Sequence, residues 1–197
     1  MKKILAIALV VFALGLIGCN SQEPEEEEVV QMPLSEAIKY IDEVARMVRY
    51  YDDLFPDVPN LFKGPNEIQG QCIDYAFLFA LKTGASIIIT NPNPSSEFKS
   101  GIYKVTGKSN DSSIINDIEK WNSRDINGDI RSCVEYRNGT SYFYNPKIGL
   151  YKLKKVGDYA SRINSYHAWN LLGTTEIDVS NYDVNGAWRV DYKLRNL

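Results

Sequence analysis

Cys72 and His167 are the two side chains whose types could carry covalent chemistry together. His167 is the sole histidine of the chain, so a nucleophilic cysteine here has one imidazole to serve it. A thiol attacks a carbonyl only as its thiolate, and a free cysteine has a pKa near ~8.5. A helix N-terminus and a neighbouring imidazolium each stabilise the thiolate. Cys72 stands where a helical run opens, in Gly70-Gln71-Cys72-Ile73-Asp74-Tyr75-Ala76, and its sulfur would face the positive end of that helix. His167, in Tyr166-His167-Ala168-Trp169, must be brought to it from far along the chain. A carboxylate or amide from a neighbouring strand must then fix the tautomer of the imidazole. Blander readings compete: Cys72 as a small buried hydrophobe, His167 as core or surface filler, or a Cys72–Cys133 disulfide in an oxidising compartment.

The elements that must position these residues can be read from periodicity. Leu34, Ile38, Ile41, Ala45 and Val48 recur at helical spacing up to about Asp52, opposite Glu36, Lys39, Glu43, Arg46 and Arg49. That pattern predicts an amphipathic helix with one face on a core. Cys72 to about Lys82 is apolar on nearly every side, as a buried central helix is, and Gly84 suits the left-handed position after its end. Ala85 to Thr90 reads as a buried strand, Ile102 to Thr106 as another, and Ser113 to Trp121 as a short helix. Asp129 to Arg137 and Thr140 to Tyr144 flank Asn138-Gly139, a strong hairpin signal. Leu150 to Val156, Ser165 to Leu172 and Ala187 to Leu194 complete the strands. Helices first and strands later predict an α+β fold with a mostly antiparallel sheet.

Asp74 falls in the first turn of the Cys72 helix, where a carboxylate complements the helix dipole, and it reads as structural. The backbone N–H of Cys72 is a natural oxyanion donor, with Asn66, Gln69 and Gln71 eligible as a second. One histidine and scattered carboxylates give no metal-ligand spacing, and the run Asp125 to Asp129 lacks the distal glutamate of a calcium loop. No cofactor is expected.

Here the residues resemble a known family. Gly70-Gln71-Cys72-Ile73-Asp74-Tyr75-Ala76 with Thr83-Gly84-Ala85 looks like the cysteine helix of the transglutaminase-like superfamily, a papain-like Cys-His-Asp fold. His167-Ala168-Trp169 looks like its histidine strand, and Trp188-Arg189-Val190-Asp191 like its aspartate strand. The resemblance implies a central cysteine helix packed on a mostly antiparallel sheet. It also implies Cys72 as nucleophile, His167 as general base and acid, and Asp191 as the third member. The interval from His167 to Asp191 is 24 residues, longer than the family's hairpin. That length implies an insertion around Gly173 to Gly186, within which Asp178 and Asp183 are substitutes for Asp191.

The chain's beginning resembles a bacterial lipoprotein signal. Lys2 and Lys3 precede the apolar stretch Ile4 to Ile17, which ends in Leu16-Ile17-Gly18-Cys19. Fourteen residues suit a secretory segment better than a span of a ~30 Å hydrocarbon core. The resemblance implies residues 1–18 as a signal peptide and Cys19 as the lipidated residue. Residues 19–31, with the run Glu25 to Glu28, would form an acidic tether, and 32–197 the domain. Acyl chains on Cys19 would hold the domain on a membrane outside the cytoplasm. Without Lys2 and Lys3 the charge balance is 20 basic against 25 acidic residues, a net of −5, with no basic stripe for nucleic acid. The expected activity is acyl transfer at an amide of a peptide or protein, by hydrolysis or transamidation. The alternative is an inactive binding or adhesion lipoprotein of the same fold, its tyrosine-rich middle offering an interface.

Overall fold

The computed structural model describes residues 30–50, 68–93, 95–124, 128, 130–159, 165–181 and 195–196. The chain opens with two short helices, α1 (Leu34–Ala37) and α2 (Lys39–Met47). The periodicity predicts one helix running on to about Asp52. Instead the backbone turns extended at Val48 (φ −112°, ψ 127°) and forms strand β1 (Val48–Tyr50). A β-branched residue at the helix end favours this switch, and long-range pairing completes it. β1 runs parallel to β2 (Ile68–Gly70) with Val48 opposite Ile68. That pairing delivers the chain to Cys72.

Helix α3 (Cys72–Thr83) follows, and ten of its twelve residues are buried. Gly84 closes it at φ 71°, its N–H donating to Ala80 O. Met32 N–H, from the segment before α1, satisfies Thr83 O at 2.7 Å.

The remaining strands are β3 (Ser86–Thr90), β4 (Gly101–Ser109), β5 (Cys133–Arg137), β6 (Thr140–Asn145), β7 (Gly149–Gly157), β8 (His167–Leu172), β9 (Thr175–Ile177) and β10 (Arg195–Asn196). They form one sheet in the order β10-β9-β8-β3-β4-β7-β6-β5, every neighbouring pair antiparallel. The fold is thus α+β with a mostly antiparallel sheet, as the order of elements predicts. Asn138 (φ 50°) and Gly139 (φ 84°) make the two-residue turn between β5 and β6, both in the left-handed region that such a turn requires. Strand β4 runs longer than the sequence suggests, because irregular pairing near Val105 and Gly107 lets it continue along β7.

Helix α3 lies between two apolar layers. Tyr75, Leu78 and Phe79 meet Ile41, Val44 and Ala45 of α2 with Leu172 and Ile177. Cys72, Ile73, Ala76, Phe77 and Ala80 meet the sheet at Ile87, Ile89, Tyr103, Phe143 and Ala168. Burial on both sides explains why its sequence is apolar all round. Helix α4 (Ser112–Trp121) sets Ile114 and Ile118 against Tyr142, Tyr144 and Leu150. Among the described residues, no helix is long and apolar enough to cross a membrane.

Candidate active site

Cys72 is the first residue of α3 and 7% exposed. Its position at the first turn depends on a buried carboxylate. Asp74 is wholly shielded from solvent. Its Oδ2 accepts from Gln71 N–H at 2.6 Å and from the Ser132 hydroxyl at 2.5 Å, and its Oδ1 accepts from Asn145 Nδ2 at 2.8 Å. One side chain thereby caps the helix and ties it to the segment before β5 and to the end of β6. Burial drives its pKa up to about 6, although these hydrogen bonds pull the other way. The glycine two residues before the cysteine has a matching reason. A Cβ on Gly70 would fall 2.7 Å from Asp74 Cβ, Cγ and Oδ2, closer than atoms can sit. The Gly-x-Cys-x-Asp spacing is therefore one packing unit.

His167 opens β8 and faces Thr90 across the β3–β8 pairing. The Thr90 hydroxyl, fully buried, accepts from His167 N–H at 3.1 Å and donates to Ser165 O at 2.8 Å. These contacts pin the backbone at the start of the strand. Nε2 of the imidazole lies 2.7 Å from Asp178 Oδ2. The Cys72 sulfur is near enough to add to the attraction that favours the charged ring. The His167 side chain is 20% exposed and that of Asp178 is 4% exposed. The ring also stacks on Trp169, with centroids 5.4 Å apart, and Trp169 Nε1 donates to Glu176.

Asp178 follows β9 and is held by its own turn. Its Oδ1 accepts from the Ser180 N–H at 3.1 Å and hydroxyl at 2.6 Å, within the 3-10 turn Val179–Asn181. Burial pulls the His167 pKa down, but the Asp178 carboxylate and the Cys72 sulfur outweigh it and raise it to about 10. At neutral pH the imidazole therefore carries its second proton. The sign of the linkage follows. A folded pKa raised above the ordinary 6.5 contributes stability that is full below pH 6.5 and is lost as pH rises toward about 10. In urea unfolding between pH 6 and 10, the stability advantage of the wild type over His167→Gln should shrink steadily across that window.

The structure thus brings together Cys72, His167 and Asp178. Asp191 and the Trp188 run that precedes it lie outside the described residues, as do Asp183, Asn66 and the lipidation candidate Cys19. The carboxylate on His167 is one of the two substitutes that the spacing left open. The hairpin register could have found it: Gly173, at φ 61°, turns β8 into β9, and Leu172 faces Thr175 with Asn170 facing Ile177. Continuing that register puts residue 178 beside the histidine end of β8.

Of the eligible second oxyanion donors, Gln71 is half-buried and is the residue that precedes α3; Asn66 and the Gln69 side chain lie outside the described residues. Cys133 is a free thiol, as is Cys72, so no bridge joins them. Burial, then the Glu135 and Asp74 carboxylates, push the Cys133 thiol well above the usual range. Among the described residues no cluster of histidine, cysteine and carboxylates could hold a metal.

No family model, curated protein or solved structure matches this chain. Its class is set by geometry: an α+β protein with a hydrogen-bonded imidazole–carboxylate pair, His167 and Asp178, and a buried thiol, Cys72, at the start of its central helix.

Proposed function

We propose that this protein is a cysteine acyltransferase acting at amides, with Cys72 as nucleophile, His167 as acid and base, and Asp178 as the carboxylate that orients the imidazole. The observation that carries the reading is the 2.7 Å contact between His167 Nε2 and the shielded Asp178 Oδ2, with the Cys72 thiol at the start of α3 near enough to help hold the imidazole charged. An imidazolium beside sulfur favours thiolate. The sulfur adds to the amide carbon and pushes the carbonyl electrons onto oxygen, for which the Cys72 N–H at the start of α3 is the natural donor. Collapse breaks the C–N bond while His167 gives its proton to the departing nitrogen, leaving a thioester. Water or an amine then adds as His167 takes back a proton, and Cys72 leaves as thiolate. Hydrolysis makes a peptidase or amidase, and an amine acceptor makes a transamidase.

The resemblance to the transglutaminase-like, papain-like superfamily is part of the same proposal. It is supported by the cysteine at the start of a buried helix, the histidine on a strand of the antiparallel sheet and the order of the two in the chain. So is membrane anchoring outside the cytoplasm through Cys19, supported by the Lys2-Lys3, Ile4–Ile17 and Leu16-Ile17-Gly18-Cys19 sequence.

Iodoacetamide labelling at pH 6, with the modified cysteine mapped by mass spectrometry, tests the site. A free peptide thiol is only about 0.3% thiolate at that pH. Cys72 should label at least about tenfold faster than such a thiol, even allowing for the weaker nucleophilicity of a stabilised thiolate. Cys133 should stay unlabelled, and His167→Ala should abolish the advantage. Labelling of Cys72 at the peptide rate would instead favour the inactive binding lipoprotein.

A further inference from the structure

A cavity of about 280 Å³ opens next to the histidine end of β8. Tyr166, which precedes His167, is one wall, and its base is buried Phe98 and Val134, which pack in the same cluster as Cys72. Tyr166 itself is half exposed. The volume falls below the ~300–1,000 Å³ of sites for whole small molecules. It suits one side chain.

The charge around the cavity is one-sided. Glu97, Glu135 and Arg137 line it. Arg137 is already occupied, with Nη2 3.3 Å from Glu135 Oε2 and Nε 3.3 Å from Asp117 Oδ2, near enough for charge attraction although not aligned as a hydrogen bond. Glu97 is exposed and forms no ion pair among the described residues. Two carboxylates, Glu97 and Glu135, therefore line the cavity with one guanidinium, and that guanidinium is already engaged by Glu135 and by Asp117 outside the cavity. Phe98, Tyr136 and Tyr166 add an apolar and aromatic surface, which accepts the methylene stem of a long cationic side chain and favours its charged head.

Resting on the acyl-transfer reading, we propose that this cavity is a subsite for a lysine- or arginine-like side chain of the acyl donor, the peptide whose amide Cys72 attacks. An acceptor lysine fits it poorly. An ammonium clamped by carboxylates stays protonated, and a protonated amine cannot attack a thioester.

The test uses the full-length protein and three peptidyl chloromethyl ketones that differ only at the residue bearing the reactive carbon: lysine, norleucine or glutamate. Iodoacetamide serves as the uncharged reference. The lysine probe should alkylate Cys72 at least about tenfold faster than the norleucine probe, and the glutamate probe slowest. Glu97→Gln and Glu135→Gln should each bring the lysine-to-norleucine ratio toward one. Equal rates for the three probes, with Cys72 still quick toward iodoacetamide, would overturn the donor subsite and leave the acyl-transfer reading standing. A fastest glutamate probe would overturn it too, assigning the cavity to anions through Arg137. Failure of iodoacetamide itself would overturn both.

Discussion

Asp178→Ala should slow iodoacetamide alkylation of Cys72 at pH 6 by at least about tenfold, while Asp191→Asn should change it less than twofold. The imidazole keeps its second proton because Asp178 and the Cys72 sulfur together outweigh the cost of burying the charge. Without the carboxylate, burial works unopposed on that side, the imidazole gives up its proton, and the cation that would favour thiolate attack is gone. A tenfold loss corresponds to about 1.4 kcal/mol, one unit of pKa, which is modest for a 2.7 Å contact to a shielded carboxylate. Turnover should suffer more, in the ~10²–10⁴ range typical of acid–base groups. Asp178 also holds Ser180, so Ser180→Ala serves as the structural control and should leave alkylation nearly intact. The reverse pattern, with Asp191→Asn collapsing the rate and Asp178→Ala sparing it, would hand the third role to Asp191.

Asp74→Ala should destabilise the fold by about 3 kcal/mol, since it strands buried donors at Gln71, Ser132 and Asn145 at ~1–3 kcal/mol each. The loss is partly offset because a buried charge disappears with them. For a domain of this size the melting temperature should fall by roughly 10 °C. The pH dependence gives the effect a signature. Because its folded pKa is raised from 3.8 to about 6, Asp74 contributes stability below pH 3.8 that is lost as pH rises toward 6. Most carboxylates in folded proteins act in the opposite sense. Asp74→Asn should remove this slope between pH 4 and 6, and urea unfolding across that interval measures it. An unchanged slope in the variant would assign the effect to other groups.

Much of the site was legible because its residues are locally constrained. Gly70, Cys72 and Asp74 form a motif for a reason of contact: the glycine clears space for the carboxylate that caps the helix. The apolar run of α3 and the Asn138-Gly139 turn carry their structure in their own chemistry. What was hidden depends on partners distant in sequence. Val48 leaves its helix because Ile68 offers a strand to pair with. Among three aspartates near the end of the chain, composition alone cannot say which returns to His167. The glycine turn at Gly173 decides for Asp178 by setting the β8–β9 register. The cavity beside Tyr166 is built from the segments around residues 91–98, 134–137 and 166, so no short window of sequence contains it.

The placement of β8 between β3 and β9 also sets when the site can exist. Cys72 is made early and His167 late. They meet only after β8 has slotted into the middle of an already growing sheet. Closing contacts so far apart in sequence is among the slower events of folding. A chain synthesised from its N-terminus therefore carries Cys72 without His167 until roughly its last sixth has docked, and the assembly of the site is a measure of completed folding.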